Sequence, residues 1–155
     1  ADDGRIGCGR VAVRNALAKG ELAHAAALLG RNYAISGHVG HGDKRGRGLG
    51  FPTANVPLRG APPLTGIFTV RVHGLPGGPR AGVASVGVRP TVKTDGKPLL
   101  EVFMLDFDHT IYGKRITVEF LHKLRDEARF PDVETLVRQI GRDVADAREY
   151  FAVHG

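Results

Sequence analysis

The segment from Gly46 to Asn55, which reads G-R-G-L-G-F-P-T-A-N, contains residue types that bind phosphate and a hard metal ion. Glycines at alternate positions allow backbone N–H groups to approach an anion closely, and Arg47 among them supplies positive charge. In an extended chain Thr53 and Asn55 point to the same face, where a hydroxyl and an amide oxygen suit Mg²⁺ and a phosphate oxygen. The segment therefore predicts a site for a nucleotide phosphate and its metal. The alternative is a Gly-rich hairpin turn with a solvated basic rim.

Two common nucleotide-binding motifs do not match this segment. A Walker A loop has a lysine after its last glycine and opens a helix, whereas here Gly50 is followed by Phe51-Pro52. The dinucleotide-binding fingerprint lies between a strand and a helix, and no such unit surrounds these glycines. Any phosphate site here is therefore of a different type.

Glu101 is the carboxylate whose surroundings best indicate a catalytic role. It lies within the apolar run Leu99–Phe103, where a charge is unfavourable unless it meets a partner or a function. The alternative is that Glu101 faces solvent from an edge strand. Glu119 occupies a similar place in a later strand and could equally face outward.

The segment Arg125–Phe130 reads R-D-E-A-R-F and mixes both charges with an aromatic residue directly after a predicted strand. It is a candidate ligand-binding loop, and the alternative is a solvated connection from strand to helix. The chain has no G-x-S-x-G elbow to suggest a covalent nucleophile. Its seven histidines lack the spacing of a zinc site, so no histidine metal site is expected.

The composition favours a single basic domain. The 155 residues include 22 Lys and Arg against 16 Asp and Glu, a net charge of +6 that suits anionic partners. Seven Phe, three Tyr and no Trp are few for stacking on single-stranded nucleic acid, so no nucleic-acid partner is expected. Cys8 is the only cysteine, which excludes an internal disulfide and fits a reducing compartment.

Hydrophobic patterning predicts a small antiparallel β-barrel between helices. No apolar run approaches the roughly 18 residues that span a membrane, and the chain does not begin with a signal-peptide core, so we expect a cytoplasmic protein with no membrane partner. Residues 11–30 predict two short helices joined at Lys19-Gly20, and Asp132 is the expected N-cap of a C-terminal helix. Six short strands with Gly and Pro between them are predicted at Tyr33–Val39, Phe51–Val56, Ile67–His73, Gly82–Val88, Leu99–Phe107 and Arg115–Lys123.

Together these motifs resemble riboflavin kinases, and more specifically the C-terminal kinase module of bacterial bifunctional riboflavin kinase/FAD synthetases. The similarity begins with G-R-G-L-G-F-P-T-A-N and covers about residues 21 to 151. It continues in order through G-I-F-T-V-R-V, G-V-A-S-V-G-V-R-P-T, L-L-E-V-F-M-L-D-F, I-Y-G, V-E-F-L and R-D-E-A-R-F, at 66–72, 82–91, 99–107, 111–113, 118–121 and 125–130.

The resemblance implies a mainly β fold, a six-stranded antiparallel Greek-key β-barrel with a C-terminal α-helix and short N-terminal helices. Residues 32–155 would form the kinase domain. Residues 1–31 would be a tail and linker helices left from the junction to an absent adenylyltransferase domain. The implied reaction transfers the γ-phosphoryl group of ATP to the ribityl 5′-hydroxyl of riboflavin, giving FMN, with Mg²⁺ or another divalent cation.

The resemblance also implies a role for individual residues. Glu101 is expected to act as the base, with Thr53 and Asn55 as further catalytic residues that bind the metal. The residues expected to bind the nucleotide phosphates are Gly42, Lys44, Gly46, Arg47, Gly48, Gly50, Pro52, Thr53 and Asn55. Those expected to bind riboflavin are Glu101, Arg125, Glu127 and Phe130.

The chain departs from the family pattern in three places. Ser85 stands where the bacterial pattern usually has Asn, and Asp126 replaces the usual proline of the flavin loop, which should make that loop less rigid. The H-x-G-H motif of the adenylyltransferase domain is absent, so this chain is not expected to make FAD. The alternatives to a kinase are a non-catalytic flavin- or nucleotide-binding module and a basic nucleic-acid-binding β-barrel.

Overall fold

The computed structural model describes residues 11–40, 53–58, 62–75, 77–88, 98–105, 113–126 and 131–154. Helix α1 (residues 11–18) and helix α2 (Leu22–Leu29) precede the strands, and helix α3 (Val133–His154) follows them. The strands are β1 (Ala34–His38), β2 (Thr53–Pro57), β3 (Gly66–His73), β4 (Arg80–Val88), β5 (Pro98–Met104) and β6 (Arg115–Arg125). The two short helices and the six strands confirm the sequence-based prediction, with strand ends shifted by at most three residues.

The helix boundaries have local causes. Gly20 separates α1 from α2 with a φ of 79°, a conformation that favours glycine. Helix α3 starts as predicted, because the Thr135 backbone N–H donates to Asp132 Oδ1 at 2.7 Å and satisfies one of the unpaired amides of the first turn. None of the described helices is long and apolar enough to cross a membrane.

The six strands form one antiparallel sheet in the order β1-β6-β3-β4-β5-β2. Strands β3, β4 and β5 are sequential neighbours and β6 returns to lie beside β3, which is the 4-1-2-3 order of a Greek key. The two edge strands approach each other where Gly40 bridges Asn55, and the Gly40 N–H donates to the Asn55 carbonyl at 2.7 Å. The sheet is therefore a nearly closed barrel, as expected.

Alternate side chains of β2 to β6 fill the barrel interior, and Ile35 of β1 packs against them. Phe68 and Phe120 meet edge to face with their ring centroids 5.2 Å apart, and Leu17 and Leu22 of the N-terminal helices join the same core. The interior strand residues are Ala54, Val56, Phe68, Val70, Val72, Ala84, Val86, Leu100, Val102, Met104, Ile116, Val118 and Phe120. Burying each large member of this set contributes about 1.5–3 kcal/mol.

Helix α3 covers part of the outer face of the barrel. A second apolar cluster forms there, in which Ile67, Val83 and Leu105 from the sheet contact Ala147, and Val144 packs against them. Outward-facing residues of β3 and β4 are consequently buried as well, and Phe103 of β5 is partly buried. The central strands therefore lack the simple alternation of buried and exposed residues that a two-layer sheet in water would show.

Gly37 lies where the two edge strands of the barrel approach each other. A Cβ atom at this position would lie 2.6 Å from Val56 Cγ1, a buried side chain of the opposite edge strand. We expect Gly37→Ala to lower the free energy of unfolding by about 1–3 kcal/mol in urea denaturation, because the two strands must separate to admit the methyl group. Gly141→Ala is the matched control: it lies within α3 with open space around its Cα, and should raise stability by about 0.5–1 kcal/mol. Equal changes in the free energy of unfolding for the two variants would contradict the close contact between β1 and β2 at Gly37.

Candidate functional site

Three polar side chains lie in one row across neighbouring strands. Glu101 of β5 is directly opposite Asn55 of β2 on one side and Ser85 of β4 on the other. Directly paired residues point to the same face of a sheet, and neighbouring strands are about 4.8 Å apart. All three are buried, with 5%, 5% and 6% of the surface of Asn55, Glu101 and Ser85 exposed. The fold thus brings the predicted base and the predicted metal-binding amide side by side.

Glu101 does not face solvent from an edge strand, so that alternative from the sequence is wrong. Strand β5 lies between β4 and β2, and its neighbouring residues Leu100 and Val102 point into the barrel core. Glu101 therefore points to the outer face, on the same side of the strand as Phe103, which packs against the cluster beneath α3. Burial of a carboxylate on this face is costly unless it serves an interaction or a reaction.

Asn55 carries an unused hydrogen-bond acceptor. Its Oδ1 atom is buried and has no hydrogen-bond partner among the described residues. A buried polar atom left in this condition costs about 1–3 kcal/mol, so it is a candidate contact for a ligand. An amide oxygen near a carboxylate is a hard donor set, which fits Mg²⁺. Thr53 lies two residues earlier in β2, and its side chain is outside the described part of the chain.

The described residues on either side of the Gly-rich segment lie beside Asn55. Gly40, two residues before Gly42, forms the bridge to Asn55, and β2 begins at Thr53, three residues after Gly50. The chain before the segment and the strand after it are therefore close together, next to the polar row. Its predicted phosphate-binding residues lie outside the described residues: Gly42, Lys44, Gly46, Arg47, Gly48, Gly50 and Pro52.

Arg125, predicted to contact riboflavin, makes a two-pronged ion pair with helix α3. Its Nε donates to Asp143 Oδ1 at 2.9 Å and its Nη2 donates to Asp143 Oδ2 at 2.8 Å. Gln139 Nε2 also donates to Asp143 Oδ1, at 3.0 Å. Glu127 and Phe130, the other two residues predicted for this loop, lie outside the described residues.

Arg125 also belongs to the row that contains Glu101. In the strand registers Arg125 is opposite Ile67, and Ile67 is opposite Ser85, which is opposite Glu101. The next residue, Asp126, is exposed, and its carboxylate accepts a hydrogen bond from Lys123 Nζ at 2.6 Å. Asp126, which replaces the usual proline of this loop, is therefore bonded to a lysine of the strand that precedes it.

Glu119 faces outward in a polar cluster on another part of the barrel. Its carboxylate accepts a hydrogen bond from Asn32 Nδ2 at 2.7 Å and lies 2.8 Å from His73 Nε2. Burial by itself would raise the pKa of Glu119. The hydrogen bonds from Asn32 and His73, with the positive charges of His73 and Arg71, outweigh burial and lower the pKa below its ordinary value of 4.5.

The sequence did not single out Asp143 or Gln139, and it noted Ser85 only as a departure. Ser85 gains significance from its place opposite Glu101, which requires the strand register. Asp143 and Gln139 are four residues apart on one helix, so their contact is visible in the sequence, but their meeting with Arg125 is not. Among the described residues no group of three His, Cys, Asp or Glu is arranged to hold a metal ion.

Comparison with known proteins identifies the family of this chain. A family model described as Flavokinase: Riboflavin kinase matches residues 29–151. The chain is 47% identical over 152 residues to the bifunctional riboflavin kinase/FMN adenylyltransferase of Escherichia coli strain K12, covering 97% of this chain and 48% of that protein. It is 52% identical over 141 residues to the protein of the same name from Pseudomonas fluorescens, covering 90% of this chain and 45% of that protein. The chain spans about half the length of the curated relatives it matches.

Two solved structures share the fold. A crystal structure titled macrolide-efflux protein from Streptococcus pneumoniae superposes with a TM-score of 0.77 and 35% identity, covering 88% of this chain and 45% of that chain. A riboflavin kinase from Trypanosoma brucei superposes with a TM-score of 0.53 and 25% identity, covering 77% of this chain and 79% of that chain. The barrel and its helix are therefore an arrangement known from experiment.

The lowered pKa of Glu119 predicts a stability difference that depends on pH. A carboxyl group whose pKa is lower in the folded state stabilises the protein above its ordinary pKa, and this contribution is lost as the pH falls through the lowered folded value. We expect Glu119→Gln to be less stable than the unmodified chain at pH 6, with the difference shrinking from about pH 4.5 downward. Urea midpoints measured between pH 6 and pH 3 test this. Glu134→Gln is the control: it removes an exposed partner of Arg138 and should change the urea midpoint little at any pH. A stability difference for Glu119→Gln that does not depend on pH would contradict the lowered pKa of Glu119.

Proposed function

Because this chain belongs to the riboflavin kinase family, we propose that it transfers the γ-phosphoryl group of ATP to the ribityl 5′-hydroxyl of riboflavin, giving FMN and ADP. The observation that carries the proposal is the buried row in which Glu101 lies between Asn55 and Ser85. Phosphoryl transfer depends on positioning and on electrostatic stabilisation more than on covalent chemistry by the protein. A buried carboxylate beside an unused amide oxygen fits that requirement.

Glu101 is the proposed general base. Its carboxylate accepts the proton of the riboflavin hydroxyl as that oxygen forms its bond to the γ-phosphorus, and the bond from the γ-phosphorus to the bridging oxygen of ADP breaks. The location of Glu101 in the middle of a sheet supports this role, because hydrogen-bonded strands on both sides restrict its backbone. A base held in this way remains within reach of one hydroxyl group.

Thr53 and Asn55 are the proposed ligands of Mg²⁺, with Asn55 Oδ1 as the described donor. When bound, the ion supplies positive charge against the phosphate oxygens of ATP. The Gly-rich segment, Gly42 to Gly50, is the proposed cover of the phosphates, with Lys44 and Arg47 as phosphate-binding basic side chains and Pro52 following two residues after Gly50. The bridge between Gly40 and Asn55 supports this proposal, because it joins the chain before the segment to the strand after it.

The segment after β6 is the proposed riboflavin contact, through Arg125, Glu127 and Phe130. Contacts of these two segments with the substrates would exclude water, which otherwise accepts the phosphoryl group from ATP. Magnesium as the natural ion, a cytoplasmic location, and a linked adenylyltransferase domain in a longer parent protein are further parts of the proposal. The last part is supported by the bifunctional names of the relatives.

Product analysis tests the proposal directly. The pure chain is incubated with riboflavin, ATP and Mg²⁺, and flavins and nucleotides are separated by chromatography. We expect FMN and ADP in equal amounts, because one phosphoryl group is transferred per turnover. The same chromatogram measures FAD, which this chain alone is not expected to form. A folded chain that yields no FMN would contradict the proposed reaction.

Glu101→Gln tests the base. The amide keeps the shape of the side chain but does not accept the proton, so we expect kcat to fall about 10²- to 10⁴-fold while circular dichroism and the unfolding midpoint change little. Glu119→Gln is the matched control, since it removes a strand carboxylate from the outer polar cluster and should retain kcat. Normal turnover of Glu101→Gln would show that another group accepts the proton.

A further inference from the structure

We infer that Asp143 is a positioning residue for riboflavin, because its carboxylate fixes the guanidinium of Arg125 at the start of the proposed flavin-binding segment. This inference rests on the proposed function and adds to it a residue on helix α3, outside the segment itself. Arg125 is the last residue of β6, and Asp143 lies 18 residues later, in the middle of α3. The pair therefore joins the strand before the segment to the helix after it.

The geometry of the pair fixes the plane of the guanidinium. Two parallel hydrogen bonds, Nε to Oδ1 at 2.9 Å and Nη2 to Oδ2 at 2.8 Å, restrict both the position and the tilt of the Arg125 head group. A single contact would leave the head group free to rotate about it. Lysine has a point charge and would not reproduce this restriction.

Asp143 is itself held in place. Only 3% of its surface is exposed, which makes an unpaired carboxylate there very unfavourable. Gln139, one turn earlier on α3, donates to the same Oδ1 atom at 3.0 Å. Arg125 thus binds an acceptor that the helix and the surrounding packing hold in place. Asp143 therefore restricts the position of the Arg125 side chain at the end of β6.

Arg125 in turn restrains the start of the segment. Its Nη1 donates to the backbone carbonyl of Asp126 at 3.1 Å, so the guanidinium contacts α3 and the first residue after β6 together. Asp132, which follows the segment in the chain, caps α3 through the Thr135 backbone N–H. The described start of the proposed flavin-binding segment is consequently restrained relative to one helix.

The pair lies on the same face and in the same row as the proposed base. Arg125, Ile67, Ser85 and Glu101 occupy paired positions on four neighbouring strands. Three strand spacings of about 4.8 Å separate the two ends of the row by at most about 14 Å. A flavin with its terminal hydroxyl at Glu101 is long enough to reach Arg125 by passing beside the part of this face that α3 covers, where Ile67 lies in the apolar cluster with Ala147. The orientation of the flavin at the Arg125 end then depends on the ion pair.

Steady-state kinetics of Asp143→Asn tests the inference. The asparagine keeps the size of the side chain, but its amide group opposes one of the two Arg125 donors. We expect the KM for riboflavin to rise about tenfold while kcat and the KM for ATP change less than about twofold, since a small displacement of a positioning group acts on the substrate that it orients. Asp146→Asn, which changes an exposed aspartate on the same helix, is the matched control and should behave like the unmodified chain.

A double-mutant cycle with Arg125→Lys separates positioning from a purely structural role. If Asp143 acts through Arg125, the KM for riboflavin of the double variant is no higher than that of the single variant with the larger effect. Asp143→Asn that lowers the unfolding midpoint but leaves the KM for riboflavin unchanged would overturn the inference, as would additive effects in the cycle.

If Asp143→Asn does not fold, Gln139→Ala decides: a rise of about threefold in the KM for riboflavin supports the inference, and an unchanged KM overturns it. Absence of FMN with the unmodified chain would instead contradict the proposed function itself.

Discussion

The pairing register of β5 with β4 and β2 is the constraint on which the candidate site depends. It aligns Glu101 with Ser85 and Asn55 on the outer face while Leu100 and Val102 fill the barrel. A slip of one residue would exchange the two faces, burying the carboxylate in the core at a cost on the order of several kcal/mol. The hydrophobic alternation that builds the core therefore also fixes the polar row.

Asn55 links barrel closure to the site through two different atoms. Its backbone carbonyl accepts the hydrogen bond from Gly40 that joins the edge strands, while its side-chain oxygen lies in the polar row. The small residue Gly37 lets the same two strands approach, because any larger side chain would meet Val56. The contact that closes the barrel consequently also positions the amide, and Gly40 and Thr53, the described residues on either side of the Gly-rich segment, are found there.

Helix α3 has both an apolar and a polar contact with the sheet. Ala147 and Val144 cover the outward-facing side chains of the central strands, and Asp143 binds the end of β6. The outer face is therefore divided into a covered apolar part and a polar row beside it. The two strand glutamates illustrate the division: Glu101 is buried in the row, whereas Glu119 lies in a cluster with Asn32 and His73.

The sequence by itself determined the local elements, since strand alternation, the Gly20 break and the Asp132 cap each depend on residues close together in the chain. Its motifs also indicated the family and singled out Glu101 and Asn55. The roles of these two residues stay predictions, as do those of Thr53, Arg125 and the residues outside the described part of the chain. Only the tertiary structure decided that Glu101 is central, because strand order depends on contacts between distant segments. For the same reason the ion pair between Arg125 and Asp143 was not predicted: no local pattern specifies which strand end a helix side chain will meet.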